Sequence, residues 1–211
     1  MTEVVVEEGK RERIARRQVD KFGERRDQLA AAALRTLAEQ GYANTSLRDI
    51  AQHSGFSHGV LHYYFADKFE LITHCVQRYK AECVQRYDSI VANATTADEL
   101  RTGFGSAMAA TLREDAALHR LWYDLRNQSL FEEKFRADVV EIDQSLERMI
   151  WRIVSKYAEL AGKPPAVGPA LAYALADGLF QHAMIAHLSG DAAATDDLRA
   201  NVGLLLSSLL A

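Results

Sequence analysis

The chain has 211 residues, 48% of them apolar and 26% charged, a balance that belongs to a folded globular protein and excludes a disordered one. It contains no apolar run of the roughly 18 residues a membrane helix needs, and its opening residues are acidic then basic, unlike a secretory leader, so a cytoplasmic protein without a membrane partner is expected. The formal net charge of −4 argues against a uniformly nucleic-acid-binding surface, but the average hides a split: between Lys10 and Arg26 there are eight bases against three acids. A basic end on an acidic body predicts that one end alone meets a polyanion.

All three prolines lie between residues 164 and 169, and Ala, Leu, Glu, Arg and Gln are abundant elsewhere, so an all-α chain is expected. Residues 1–20 show little apolar periodicity and read as a basic arm or a solvated helix. A first amphipathic helix is predicted over about 24–40, where Leu29, Ala33 and Leu37 repeat at helical spacing, with Gly41 as its stop. Ser46 is placed to cap a second helix, with Asp49 reaching back, and Leu47, Ile50 and Ala51 as its buried stripe. Gly55 ends that helix after two turns. Ser57 caps a third, with Leu61, Tyr64 and Phe65 on one side, and a longer helix follows from Phe69 to about Ala92. Two short helices around a glycine turn, preceded by a longer one, spell a helix-turn-helix unit.

Beyond Thr95 the pattern changes to long helices, predicted over 98–112, 115–129 and 131–161, the last with Phe131, Phe135, Val139, Ile142, Leu146, Ile150, Ile153 and Tyr157 along one stripe. Residues 169–189 are apolar nearly all round, with Asp177 as their single formal charge, and residues 195–210 carry Leu198, Val202, Leu205, Leu206, Leu209 and Leu210. A helix with no polar face must be covered on both sides. These two segments are therefore expected to form a four-helix interface with a second copy, with Leu205 and Leu206 against the partner. Cys75 and Cys83 lie too far apart on one helix to bridge and are expected to be plain thiols.

At about 100° per residue, His58, Gly59, His62 and Tyr63 share the side of the third helix opposite Leu61, Tyr64 and Phe65. Two imidazoles, a phenol and a residue without a side chain suit contact with phosphates and base edges. Ser57, Thr45, Ser46 and Arg48 add hydroxyls and a cation nearby. A metal held by His58 and His62 is the competing use of that pair, but no third ligand of the right type lies close in sequence.

The stretch "GYANTSLRDIAQHSGFSHGVLHYYFADKFELI" resembles the DNA-binding signature of TetR-family transcriptional regulators. The match rests on Gly41, Tyr42, Thr45, Ser46, Ile50, Ala51, Gly55, Ser57, Gly59, Leu61, Tyr64, Phe65, Lys68 and Leu71, without a gap, and extends over residues 22–72. Ser54 and Phe56 beside the turn glycine, and His62 where the family often has Tyr, depart from the pattern and leave the preferred bases open. The resemblance implies a homodimeric repressor whose recognition helices enter successive major grooves of a near-palindromic double-stranded operator, released by a small-molecule effector. It places DNA contacts at Thr45, Ser46, Arg48, Ser57, His58, Gly59, His62, Tyr63, Tyr64 and Lys68. The implied layout is an arm over 1–20, a DNA-binding head over 21–70 and an effector-binding and dimerisation domain over 71–211.

For the effector pocket, Phe104, Met108, Trp122, Tyr123, Trp151, Phe180 and Met184 are bulky enough to line a cavity, with Arg126, Asn127, Asp177 and His182 as candidate polar contacts. An internal Arg126–Asp177 pair is as good a reading of those two. Trp beside Asp would suit a cation. No glycine-rich phosphate loop, no HExxH and no Cys–His constellation is present, so neither enzymatic activity nor a cofactor is expected. The remaining alternative is a helical adaptor that binds protein alone.

Overall fold

The computed structural model describes the backbone of residues 2–41 and 45–211, with side chains from residue 20 onward. Tyr42, and the side chains of the basic arm before Asp20, lie outside the described residues. The described residues are helical throughout, with α1 over Thr2–Gln40, α2 over Leu47–Ser54, α3 over His58–Tyr64, α4 over Lys68–Arg86, α5 over Asp88–Asn93, α6 over Ala97–Gln128, α7 over Arg136–Ala161, α8 over Pro169–Leu188 and α9 over Ala194–Ser208. The chain divides into two compact units, Met1–Val76 and Gln77–Ala211.

In the first unit the predicted signals act as read. Ser46 accepts the Asp49 N–H at 3.2 Å while the Asp49 carboxylate accepts the Ser46 N–H at 2.8 Å, closing a capping box at the start of α2. Donation from the Ser46 hydroxyl, and then from the Ser46 N–H, holds the Asp49 carboxyl below its usual range. Gly55 turns the chain with φ +74°, a left-handed conformation that glycine takes without strain. Ser57 then accepts the Val60 N–H at 3.3 Å to start α3. Leu29, Ala33 and Leu37 of α1, Ile50 of α2, Leu61 of α3, Phe65, and Leu71 and Ile72 of α4 form the buried core. The basic arm is not separate from the first helix: α1 runs unbroken through both.

The second unit is a bundle in which α6 packs most closely on α9, α9 on α8, and α8 on α7. The two helices expected over 98–112 and 115–129 are the two arms of α6, which meet at a kink where Asp115 has non-helical dihedrals (φ −120°, ψ 16°). The Asp115 carboxylate is held there by Arg86 at 2.6 Å. The helix expected over 131–161 begins later than its stripe suggests, with α7 starting at Arg136. Phe131 is 82% exposed, because residues 129–132 form a turn in which Arg136 donates to the Ser129 carbonyl. The buried stripe starts at Phe135 and continues through Val139, Ile142, Leu146, Ile150, Ile153 and Tyr157. Cys75 and Cys83 are buried thiols, not joined in a disulfide, and the Cys75 thiol donates to the Ala30 carbonyl at 3.3 Å.

The outer faces of α8 and α9 are where the helical wheel misleads. Leu206 is 2% exposed and belongs to the bundle core, whereas Leu204 is 69% exposed. On α8, Leu171, Leu175, Ile185 and Leu188 are exposed while Ala172, Ala176, Phe180 and Ala183 are buried. One side of α8 thus packs inward and the other leaves large apolar side chains uncovered in the single chain, whereas the exposed side of α9 carries Leu204 among Asp196, Asp197, Arg199 and Asn201.

The close approach of α6 and α9 depends on small residues. A Cβ built on Gly105 would meet the Arg199 carbonyl oxygen at 2.9 Å, backbone that cannot yield without separating the helices. Gly105→Val is therefore expected to lower stability by about 1–3 kcal/mol in chemical denaturation. Gly23→Ala, which meets nothing within 4 Å inside α1, is the matched control and should raise stability by up to about 1 kcal/mol.

Candidate nucleic-acid interface and ligand cavity

The exposed side of α3 carries His58, Gly59, His62 and Tyr63, and its opposite side anchors through Leu61. Tyr63 is 73% exposed, a large aromatic surface to leave in water. The His58 and His62 rings meet edge to face with centroids 4.4 Å apart. Tyr63 packs on Tyr64 at 4.9 Å, and Tyr64 on Phe22 of α1 at 4.7 Å. Phe22 is a supporting residue that sequence reading missed; its signal is a single aromatic inside the basic stretch. The far end of α3 is tied down by Glu70, which accepts from Arg26 at 2.6 Å with one oxygen and from the Ala66 N–H at 2.8 Å with the other.

Of the remaining predicted contacts, Ser46, Arg48 and Ser57 are exposed, and Tyr64 and Lys68 are half-buried. Thr45 differs from expectation: it is 2% exposed and its hydroxyl donates to the Gly41 carbonyl at 2.7 Å. Its role is to fasten the end of α1 to the start of α2 rather than to present a hydroxyl. Among the described residues no cluster of three His, Cys, Asp or Glu side chains gathers around His58 and His62 or elsewhere.

The second unit encloses a cavity of about 60 Å³ between α4, α6, α7 and α8. Met108, Trp122, Tyr123, Asp177 and Phe180 line it as expected. Phe104 lies deeper, facing α9 with Val202 and Leu206, and Trp151 lies beside an open groove with Ser155 and Pro164, so neither reaches the cavity. Met184 is buried but is not part of the lining, and Asn127 and His182 are exposed. The residues that sequence reading missed are Lys80, Tyr87, His119, Leu146, Met149, Ile150 and Tyr173.

Polar groups at the cavity divide into two sets. Asp177 accepts from Tyr123 at 3.0 Å and from Arg126, Arg126 also reaches Asp143 at 3.5 Å, and Asp143 accepts from Tyr173 at 2.6 Å. Burial works against the Arg126 charge, but Asp177 outweighs it and holds the guanidinium protonated. The internal pair weighed from sequence is present, and each Asp177 carboxylate oxygen already accepts a hydrogen bond.

The other set is Lys80, His119 and Trp122. Lys80 is 2% exposed and its Nζ lies 3.1 Å from His119 Nδ1. Burial pulls the Lys80 ammonium down to about 8, and pushes the His119 imidazole well below its usual range, helped by the charges of Lys80 and Arg86. A neutral imidazole that accepts at Nδ1 carries its proton on Nε2. That Nε2 and the Trp122 Nε1 are both buried without a hydrogen-bond partner.

A buried ammonium without a carboxylate destabilises the fold. Lys80→Met is therefore expected to raise stability by about 1–3 kcal/mol at neutral pH. The folded-state pKa lies below the unfolded one, so the cost is fully present below about pH 8 and fades as pH rises toward the ordinary lysine value. Urea titrations of both proteins across that window should show the gap closing from the acid side upward.

Residues 29–75 match the sequence model of the bacterial regulatory proteins of the tetR family. The chain is 27% identical over 127 residues to the HTH-type transcriptional repressor KstR2 of Mycolicibacterium smegmatis, covering 60% of this chain and 61% of that one. It thus spans about three fifths of that relative's length. To the HTH-type transcriptional regulator PksA of Bacillus subtilis it is 25% identical, covering 76% of this chain and 79% of that protein. Its fold is similar to that of the transcriptional regulator FadR from Bacillus subtilis, solved with stearoyl-CoA, at a TM-score of 0.70 and 20% identity, over 86% of this chain and 97% of that one. The helix-turn-helix signature, its capped and anchored geometry and the family match agree, and residues 29–75 form a helix-turn-helix head of the tetR-family type.

Proposed function

We propose that the chain works as a homodimeric repressor of a near-palindromic operator, released when a small molecule occupies the cavity of the second unit. The observation that carries the DNA-binding half is the outer face of α3, where His58, Gly59, His62 and Tyr63 are exposed while Leu61 and Phe65 are buried. In this reading residues 21–70 are the DNA-binding head, residues 1–20 a basic arm that adds phosphate contacts, and residues 71–211 the effector-binding and dimerisation part. Tyr63, Lys68, Arg48, Ser46 and Ser57 meet phosphates, and His58 and His62 meet base edges where Gly59 lets the helix backbone approach.

The dimer follows from geometry and from the uncovered apolar side chains. A recognition helix of seven residues reads few bases, so useful affinity needs two half-sites roughly 34–36 Å apart. Leu171, Leu175 and Ile185 on α8 and Leu204 on α9 supply an exposed apolar surface of the kind a partner copy covers. The effector half rests on the cavity. At about 60 Å³ it is too small for a bulky ligand such as the stearoyl-CoA bound by the similar FadR, so that ligand does not carry over.

Selection of bound DNA from a random pool tests the DNA-binding half. Tyr63→Ala should weaken binding about equally on all sequences, whereas His62→Ala should change the selected bases, with about 1–3 kcal/mol of discrimination lost at the affected position. Selection profiles unchanged in His58→Ala and His62→Ala together would remove the base-reading role. A chain that enriches no DNA at any salt would instead be a protein-binding adaptor.

For the dimer, Ile185→Glu places a charge on the exposed face of α8 and should leave the protomer folded by circular dichroism. Sedimentation is then expected to show monomers, with operator affinity lost although α3 is untouched. Leu206→Glu cannot serve here, because Leu206 is part of the protomer's own core. An Ile185→Glu protein that sediments as a dimer would place the interface elsewhere.

A further inference from the structure

The buried side-chain atoms of the cavity lining that have no hydrogen-bond partner are both donors, His119 Nε2 and Trp122 Nε1. Its carboxylates are engaged: Asp177 accepts from Arg126 and Tyr123, and Asp143, just behind the lining, accepts from Tyr173 and lies beside Arg126. What is left over consists of donors. Lys80 Nζ has His119 Nδ1 as its hydrogen-bond partner at 3.1 Å and otherwise lies over the rings of Tyr79 and Trp122, each with its centroid 5.5 Å away. His119 Nε2 and Trp122 Nε1 have no partner. Lys80, His119 and Trp122 all line the cavity, and each is more than nine-tenths buried. Buried donors are normally matched, since leaving one unpaired costs about 1–3 kcal/mol.

Apart from Asp177 and three tyrosines whose hydroxyls are engaged by Thr111, Asp177 and Asp143, the rest of the lining is apolar. Met108, Leu146, Met149 and Ile150 face the polar corner, and the methionines are unbranched side chains that can change rotamer to admit a longer body. Met108 and Ile150 also border a second apolar void, of about 10 Å³, toward α9. A ligand that satisfies the whole site carries negative charge and acceptors at one end and hydrocarbon at the other. A cation would meet Lys80 and a carboxylate already engaged by Arg126, and a neutral hydrocarbon would leave His119 Nε2 and Trp122 Nε1 unmatched and Lys80 without a counter-ion.

Resting on the effector-binding reading of this cavity, we propose that the effector is a small monocarboxylate with an apolar body, its anionic head set against Lys80, His119 and Trp122. The same assignment gives the Lys80 ammonium a purpose, since its buried charge acquires a counter-ion when ligand enters. Lys80 is then a ligand-binding residue whose cost to the unliganded fold is recovered on binding.

The test uses the full chain and a matched panel: the straight-chain carboxylates butanoate through decanoate, their primary amides and the corresponding primary amines. Binding is followed by calorimetry and by the shift in melting temperature. At least one carboxylate is expected to bind tenfold or more (about 1.4 kcal/mol) more tightly than its amide, with no binding by the amine. In Lys80→Met the preference for carboxylate over amide should vanish although the protein melts higher. Trp122→Phe, which removes the indole donor and keeps a ring, should weaken carboxylates and leave amides nearly unchanged, and it decides the matter if Lys80→Met does not fold. Amide or amine binding as tight as carboxylate, a preference that survives both substitutions, or no binding by any carboxylate overturns the inference. A protein that still retains selected DNA while binding no carboxylate loses this inference and keeps the regulator reading; one that binds carboxylate but no DNA does the reverse.

Discussion

The constraint on which the DNA-binding head depends is the shortness of α3. Seven residues make about two turns, too few to hold a helix in water without outside support. Every strong feature nearby supplies that support. Gly55 sets the turn, Ser57 caps the start, Leu61 and Phe65 fix one side in the core, and Glu70 secures the exit through the Ala66 amide while pairing with Arg26. Because stability comes from these anchors, the outer face need not contribute to it. It carries a glycine, two imidazoles and a phenol, a poor helix-forming set that suits contact with a groove and its phosphates.

The second unit divides its polar groups between structure and binding. Arg126, Asp143, Asp177, Tyr123 and Tyr173 satisfy one another and join α6, α7 and α8. Lys80 finds His119 Nδ1 but no carboxylate, His119 Nε2 and Trp122 Nε1 find no partner, and the three residues line one cavity. A fold that leaves two buried donors unmatched beside a buried ammonium, while its nearby carboxylates are engaged, has stability to gain from a ligand. That coupling is the thermodynamic requirement for a regulator, since a ligand shifts an equilibrium by its difference in affinity for the two states and by no more.

What was legible in the sequence was local. The capping residues Ser46, Asp49 and Ser57, the turn at Gly55 and the buried stripes of α1, α2 and α7 are set by spacing within a few residues, and the structure places them as read. Longer-range facts were not. The break near residue 115 was legible, but the ion pair that Asp115 makes there with Arg86, twenty-nine positions earlier in the chain, was not. Thr45 reads as a surface hydroxyl until its bond to Gly41 is seen. Leu204 and Leu206 are the same residue type two apart, and which of them faces the core is decided by the position of α6, not by their own sequence. Lys80 and His119 escaped notice for a similar reason, since a lysine or histidine in an amphipathic helix ordinarily marks the wet side.

The central claim is that two copies of α3, held by a dimer, read two half-sites on one face of DNA. Hydroxyl-radical footprinting of the full chain on a selected operator measures that directly. The expected result is two protected patches on the same face of the duplex, roughly one helical turn apart, both disappearing together as protein is diluted. A single patch, or two patches that titrate independently, would contradict it.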